Sequence, residues 1–154
     1  MKFEQIMPSA TTMADATLPT VAMDTEAGTQ YNVLHGYTSE LDSTLFYGNI
    51  TPVAKDRKLT VTINTYGEDI EGVAYKIRSL EDKSLIENTE VSDYDNAGSS
   101  INVTFNIKNL LDTGKEYALE IVLKTKKHEA VYYYTRIVYG VDYDCLLYTS
   151  PSPR

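Results

Sequence analysis

The stretch from Leu110 to Tyr139 constrains the fold more than any other part of the chain. Between Glu116 and Lys124, large apolar residues alternate with polar or small ones, which is the period of a strand with one buried face. A polar segment from Lys124 to Glu129 separates this strand from a second β-rich run, Ala130 to Tyr139. The two runs together predict a β-hairpin.

The same alternation recurs upstream, in short runs separated by turn residues every 8 to 12 residues or so. Six to eight short strands and no long helix predict an all-β fold, an antiparallel sandwich. The predicted core residues are Leu59, Val61, Ile63, Val73, Tyr75, Ile77, Ile101, Val103, Phe105, Tyr117, Leu119, Ile121 and Leu123.

The N-terminal half of the chain gives weaker signals. Leu18 to Met23 and Tyr31 to Tyr37 indicate short strands, and Ser39 could cap a helical turn that runs through Phe46. Gly48, Asn49 and Pro52 then favour a loop.

We expect three segments along the chain. Residues 1–16 lack periodicity and predict a flexible lead-in. Residues 17–144 form the predicted sandwich domain. Residues 145–154 resemble translated sequencing-adaptor DNA, which ends many metagenome-derived reading frames, so we expect a non-native tail and a native chain that continues past Asp144. A genuine flexible tail is the alternative.

The net charge and the hydropathy of the chain limit the kinds of partner and the cellular locations that we expect. The net charge is −8 at pH 7, and no stretch clusters Lys or Arg with aromatic residues, so we expect no nucleic-acid partner. No window holds 18 apolar residues, and the N-terminus lacks a basic region followed by an apolar one. The sequence therefore shows neither a membrane-spanning segment nor a signal peptide. A cytoplasmic location stays open beside an extracellular or cell-envelope one.

Lys58 to Tyr139 resembles a fibronectin type III or related immunoglobulin-like sandwich. Val73 to Arg78 resembles the third strand of that fold, and Leu110 to Tyr117 resembles the turn into its sixth strand. The resemblance implies that Tyr117 is a tyrosine-corner residue whose hydroxyl bonds to the backbone near Leu110 to Asp112. The chain departs from the family in having no tryptophan, and it has no Arg-Gly-Asp tripeptide. The whole chain also resembles uncharacterised envelope proteins of Gram-positive Clostridia, a resemblance that carries no known activity.

The segment from Asp93 to Gly98 begins like a calcium-binding loop, with Asp93 and Asp95 as oxygen ligands. The pattern then fails, because Thr104 stands where such a loop needs a bidentate Glu. Asp, Asn and Gly are also ordinary turn residues. We therefore expect no metal and no cofactor, with Asp93 and Asp95 as a weak candidate pair.

Catalytic patterns are scarce. Glu68, Asp69 and Glu71 lie close together in sequence, but the glycines on either side predict a solvated turn rather than an acid/base pair. His35 and His128 do not have the spacing of a metal site. The sequence thus predicts no enzyme; a pocket lined by several acids with raised pKa values would reopen that possibility.

Tyrosine is the one residue type in excess, with 13 copies and a run from Tyr132 to Tyr134. Because neighbours in a strand alternate faces, at least one of these rings should point outward. Exposed tyrosines suit protein or sugar recognition, whereas cross-strand packing is the alternative. Tyr132 and Tyr134 are therefore the candidate binding residues.

These observations predict a non-catalytic structural or interaction module, the N-terminal part of a larger envelope or extracellular protein, with a protein or glycan partner. The alternative is a carbohydrate-binding module that serves an enzyme domain beyond Asp144. A sandwich hosts both kinds of role, so the fold does not choose between them.

Overall fold

The computed structural model describes residues 15, 17–24, 31–47, 49–53, 59–91, 99–107 and 111–140. Their strands are β1 (Thr20–Asp24), β2 (Tyr31–Leu34), β3 (Ile50–Val53), β4 (Leu59–Asn64), β5 (Ile70–Ser79), β6 (Leu85–Val91), β7 (Ser100–Phe105), β8 (Glu116–Thr125) and β9 (Val131–Tyr139). A short 3-10 helix, Ser43–Leu45, lies between β2 and β3. The predicted lead-in apart from Asp15, the pair Asp93 and Asp95, and the predicted tail lie outside the described residues.

The strands form two sheets, a four-stranded sheet in the order β2-β1-β4-β7 and a five-stranded sheet in the order β3-β9-β8-β5-β6. Apolar residues from both sheets share one core. The predicted all-β sandwich is confirmed, and so is the hairpin of β8 and β9. One pairing departs from the antiparallel prediction, because β3 runs parallel to β9.

The predicted core is confirmed. Each of its residues is at most 3% exposed, and the ring of Tyr75 on one sheet stacks on that of Phe105 on the other with centroids 4.4 Å apart. Residues at alternate positions of a strand face the same side, so the period of two was enough to find them.

Two predictions for the N-terminal half are wrong. The predicted loop after Phe46 contains β3, which accommodates Pro52 because it lies at the edge of its sheet, where a residue without an N–H is tolerated. The predicted helical turn is shorter than expected, and its cap is Asp42 rather than Ser39, through a 3.0 Å hydrogen bond from the Thr44 amide.

The sequence predicted a solvated acidic turn before β5, and this prediction is wrong for Glu68. The side chain of Glu68 is only 6% exposed, and its carboxylate lies 3.2 Å from Nδ1 of His128. His128 reaches it from the turn of the β8–β9 hairpin, so a side-chain contact links the ends of three strands, β5, β8 and β9.

The hydroxyl of Tyr117 ties the start of β8 to the turn before it. It accepts a 2.7 Å hydrogen bond from the backbone amide of Asp112, the contact that the tyrosine-corner resemblance implies. The turn also contains Gly114, whose φ of +83° favours glycine.

We expect Tyr117→Phe to lower the free energy of unfolding by about 1 to 3 kcal/mol, because the Asp112 amide would lose its partner. Urea titration measures the change. The control is Tyr47→Phe, at a side chain that is 56% exposed. If the two variants are equally stable, the hydrogen bond between Tyr117 and Asp112 does not contribute to the stability of the fold.

The glycines at positions 36 and 72 provide a second test, of packing. A Cβ at Gly36 would lie 2.6 Å from Cγ1 of Val131, whereas one at Gly72 would make an ordinary 3.6 Å contact with Cβ of Lys124. We expect Gly36→Ala to cost about 1 to 3 kcal/mol by overpacking. Gly72→Ala should change stability little or raise it by up to about 1 kcal/mol. Similar values for the two variants, in thermal or urea unfolding, would contradict this account.

Candidate functional site

A segment from Tyr37 to Tyr47, here called the crossing segment, lies over the outer face of the five-stranded sheet. At its start, Tyr37 and Tyr132 exchange two backbone hydrogen bonds of 2.9 and 2.8 Å. Further along, the 3-10 helix packs on β8 and β9. The sheet face that points away from the core is therefore partly covered by the chain itself.

Aromatic packing holds the crossing segment in place. The ring of Phe46 stacks on that of Tyr134 with centroids 4.5 Å apart and an interplanar angle of 1°. The ring centroid of Tyr37 lies 5.6 Å from that of Phe46 and 5.9 Å from that of Tyr134. Centroid separations in this range are those of favourable ring contacts.

This packing corrects the prediction that Tyr134 is an exposed binding residue. Tyr134 does point away from the core, as strand alternation requires, but it is only 1% exposed. Tyr132 is partly exposed on the same face. Tyr133 points into the core, where its hydroxyl donates a 2.6 Å hydrogen bond to the carbonyl of Pro19.

A chain of hydrogen bonds runs from the crossing segment into the sheet. The backbone amide of Leu41 donates to the hydroxyl of Tyr134 at 2.7 Å, and that hydroxyl donates to Oε2 of Glu120 at 3.1 Å. Burial raises the pKa of Tyr134 well above its ordinary value, so the hydroxyl keeps its proton and can donate.

Glu120 lies on β8 and is 3% exposed. When the carboxyl is ionised, its Oε1 atom is buried and accepts no hydrogen bond from the described part of the chain. The nearest cation is Lys76, whose Nζ lies 3.7 Å from Oε1, beyond hydrogen-bond distance, and 3.2 Å from Oε2 of Glu40. Partial burial lowers the pKa of Lys76, but the hydrogen bond to Glu40 and the charge of Glu120 outweigh it and raise the pKa.

These groups line a cleft between the crossing segment and the sheet, with a volume of about 280 Å³. We call it the Glu120 cleft. Its lining residues are Glu40, Leu41, Asp42, Ser43, Thr44, Lys76, Arg78, Lys83 and Glu120. Three acids and three bases therefore meet at one surface depression.

The three acids of the cleft differ in their protonation. Burial, followed by the charge of Glu40 and a side-chain hydrogen bond shared with Glu40, raises the pKa of Glu120 to about 7. Partial burial raises the pKa of Glu40, but the hydrogen bonds with Lys76 and Glu120 and the charges of Lys76 and Arg78 bring it below the ordinary value. Hydrogen bonds from Thr44 lower the pKa of Asp42.

The cleft therefore contains one acid with a raised pKa rather than several. Its lining includes no histidine and no cysteine. Among the described residues, no three His, Cys, Asp or Glu side chains come together in a way that could hold a metal ion. What the cleft offers chemically is a buried hydrogen-bonding carboxyl group beside surface charges, of which Lys76 and Glu40 form an ion pair.

Glu120 is the site residue that sequence reasoning missed, because strand alternation assigned it to a solvated face. A signal for it was present in the same strand. Its neighbours on that face, Ala118 and Val122, are both non-polar, which is typical of a strand that is covered on both sides.

No family model and no curated protein sequence matches this chain. Among solved structures, it is similar to the crystal structure of CopC from Methylosinus trichosporium OB3b, with a TM-score of 0.40 and 10% sequence identity. The match covers 70% of this chain and 98% of that one. A likeness this distant transfers no function. No helix among the described residues is long and apolar enough to cross a membrane.

The raised pKa of Glu120 makes stability depend on pH in a defined direction. The carboxyl takes up its proton near pH 7 in the folded chain and near the ordinary value of 4.5 in the unfolded chain. Between these values the folded state binds more protons. The contribution of this proton uptake to the free energy of unfolding is thus complete below pH 4.5 and is lost as the pH rises through about 7.

We expect Glu120→Gln to remove this dependence. Relative to the unsubstituted protein, the variant should gain on the order of 2 kcal/mol in free energy of unfolding between about pH 5 and pH 8. Urea titrations across that range measure the difference. Glu116→Gln, at an exposed position of the same strand, is the control substitution. A difference that stays constant across the pH range for Glu120→Gln would contradict the raised pKa of Glu120.

Proposed function

We propose that this chain is a non-catalytic interaction module and that the Glu120 cleft receives a polar group of a polypeptide partner. The observation that carries the proposal is the Oε1 atom of Glu120, which is buried, lacks a hydrogen-bond partner among the described residues and borders a cleft. Leaving such an atom unpaired costs about 1 to 3 kcal/mol, and native proteins contain few of them. A partner that donates a hydrogen bond to Oε1 would recover that free energy on binding.

The protonation of Glu120 indicates the chemistry of the partner group. With a pKa of about 7, the carboxyl exists in both forms near neutral pH. An amide donates to a carboxylate and accepts from a carboxylic acid, so it suits either form. Three bases and three acids line the cleft, so its charges largely balance and favour neither a cationic nor an anionic side chain. We therefore propose an Asn or Gln side chain, or a main-chain amide, as the group that enters.

The envelope or extracellular location is the second part of the proposal. The order of the strands supports it. In an immunoglobulin-like fold the third, sixth and last strands are neighbours in one sheet. If β5 is the third strand and β8 the sixth, the neighbours β5, β8 and β9 match that order. Sandwiches of this kind are common in cell-surface domains. Sequencing the source gene on both sides would test the location. An in-frame export signal or surface anchor supports it, and a frame with neither contradicts it.

Carbohydrate binding is a second candidate function. The pair Tyr132 and Tyr134 does not provide the expected platform, because Tyr134 is buried. The observation that favours this candidate lies on the four-stranded sheet, where the ring of Tyr66 is 55% exposed beside a groove.

The polypeptide-binding proposal can be tested with a random peptide library displayed on phage. We expect the protein to enrich peptides that contain an amide-bearing residue at a fixed position. Glu120→Leu should weaken binding of the enriched peptide at least about tenfold in calorimetry, because the acceptor is gone. The same variant should be less stable by about 1 to 3 kcal/mol, because the buried Tyr134 hydroxyl loses its acceptor, so its affinity is measured at a temperature at which both proteins are folded.

Glu116→Gln is the matched control, since it lies on β8 outside the cleft and should leave peptide binding unchanged. Failure to enrich any peptide, or equal affinity of the Glu120→Leu variant and the unsubstituted protein, would refute a role for the cleft in binding.

A further inference from the structure

A groove of about 390 Å³ lies on the outer face of the four-stranded sheet, on the opposite side of the sandwich from the Glu120 cleft. Its polar lining comes from hydroxyl and amide side chains, among them Thr20, Thr62, Asn64 and Ser100. Val33 and Tyr66, which are 48% and 55% exposed, also line it. The groove thus combines neutral hydrogen-bonding groups with an exposed aromatic ring.

The face around this groove carries no charge where the structure describes its side chains. The outward residues of its strands whose side chains are described are Thr20, Ala22, Val33, Thr60, Thr62, Asn64, Ser100, Asn102 and Thr104. Uncharged hydrogen-bonding groups of this kind suit a neutral ligand rich in hydroxyl groups.

The backbone at Tyr66 is in a conformation that tyrosine rarely adopts. Tyr66 and Gly67 have φ values of +48° and +86°, and the amide of Glu68 donates a 3.0 Å hydrogen bond to the carbonyl of Thr65. This is the geometry of a turn with two left-handed central residues, for which Asn and Gly are preferred. A tyrosine at the first position adds strain that an asparagine would avoid.

The strain at Tyr66 is not explained by packing. The ring is more exposed than buried, and it stacks on no other aromatic ring of the described residues. Strained backbone positions that hold a side chain at a surface depression are characteristic of ligand sites. A 3.0 Å hydrogen bond from the amide of Thr65 to the carbonyl of Ser99 fixes the turn. The backbone that carries the Tyr66 ring therefore has a defined position.

We propose that the groove between Tyr66 and Val33 binds a neutral saccharide. The face of the tyrosine ring would pack on the apolar C–H surface of a sugar ring, while threonine, serine and asparagine side chains bond to its hydroxyl groups. The inference rests on the second of the two proposed functions, carbohydrate binding, and gives it a site and a ligand class. It does not depend on the Glu120 cleft.

The test uses the full chain and five neutral oligosaccharides, the hexamers of β-1,4-glucose, β-1,3-glucose, β-1,4-mannose, β-1,4-xylose and β-1,4-N-acetylglucosamine. Calorimetry should show saturable binding of at least one. Tyr66→Asn should weaken that binding at least about tenfold. It should also leave the unfolding temperature equal or higher, because it relieves the turn. Tyr66→Phe, which keeps the ring, should retain most of the affinity.

Tyr47→Asn is the matched control, because Tyr47 is 56% exposed but lies next to the other sheet, over Arg136. If one of the sugars binds but Tyr66→Asn weakens it no more than Tyr47→Asn does, carbohydrate binding stands and the groove is the wrong site. If none of the five binds, both the inference and the second candidate function fall. Concentration-dependent dimerisation that Tyr66→Asn abolishes would assign the face to a second copy of the chain and also overturn the proposal.

Discussion

The outer face of the five-stranded sheet depends on the hydrogen bond between the Leu41 amide and the Tyr134 hydroxyl. Without a covering element, Tyr134 and Glu120 would be solvated residues on the exposed side of a sandwich. The crossing segment buries both, and the Leu41 amide and the Phe46 ring fix its position over β9. Because the segment also forms one wall of the Glu120 cleft, the shape of the cleft depends on these contacts.

The core of this protein was predictable from sequence because it depends on a local pattern. A period of two along β4, β5, β7 and β8 identifies the buried side of each strand without knowledge of its neighbours. The turn before β8 was also predictable, since the sequence from Leu110 to Tyr117 carries the tyrosine-corner signal and the hydroxyl bonds to a residue only five positions away.

The covered outer face could not be predicted in this way. Leu41 and Tyr134 are 93 residues apart, and neither has a local pattern that indicates the other. Alternation correctly placed Tyr134 on the side away from the core, but it gives the direction of a side chain and not what lies above it. The same limitation hid β3, whose pairing with β9 is parallel and distant in sequence, and whose Pro52 signals a loop when read locally.

The two outer faces of the sandwich differ in a way that bears on function. On the five-stranded sheet, charged residues are numerous and some form ion pairs, as Lys76 does with Glu40 and Arg136 with Glu116 at 3.1 Å. On the four-stranded sheet, the described outward side chains are uncharged. A ligand at the first face has to compete with existing ion pairs, whereas the described groups that line the groove on the second offer hydrogen bonds and ring contact. The two faces therefore suit different ligands.

The two carboxyl oxygens of Glu120 have different surroundings, and they suit a structural role for Oε2 and a binding role for Oε1. Oε2 accepts from Tyr134 and thereby helps to hold the crossing segment, which accounts for a polar residue between Ala118 and Val122. A single acceptor would meet that need, and a buried carboxyl adds a second oxygen whose desolvation the fold does not offset with a hydrogen bond. Lys76 gives Oε1 only a 3.7 Å electrostatic contact, since its ammonium lies closer to Glu40. The hydrogen bond from Tyr134 explains the position of Oε2 in the fold. The position of Oε1 at the cleft is instead explained by binding of a hydrogen-bond donor from a partner.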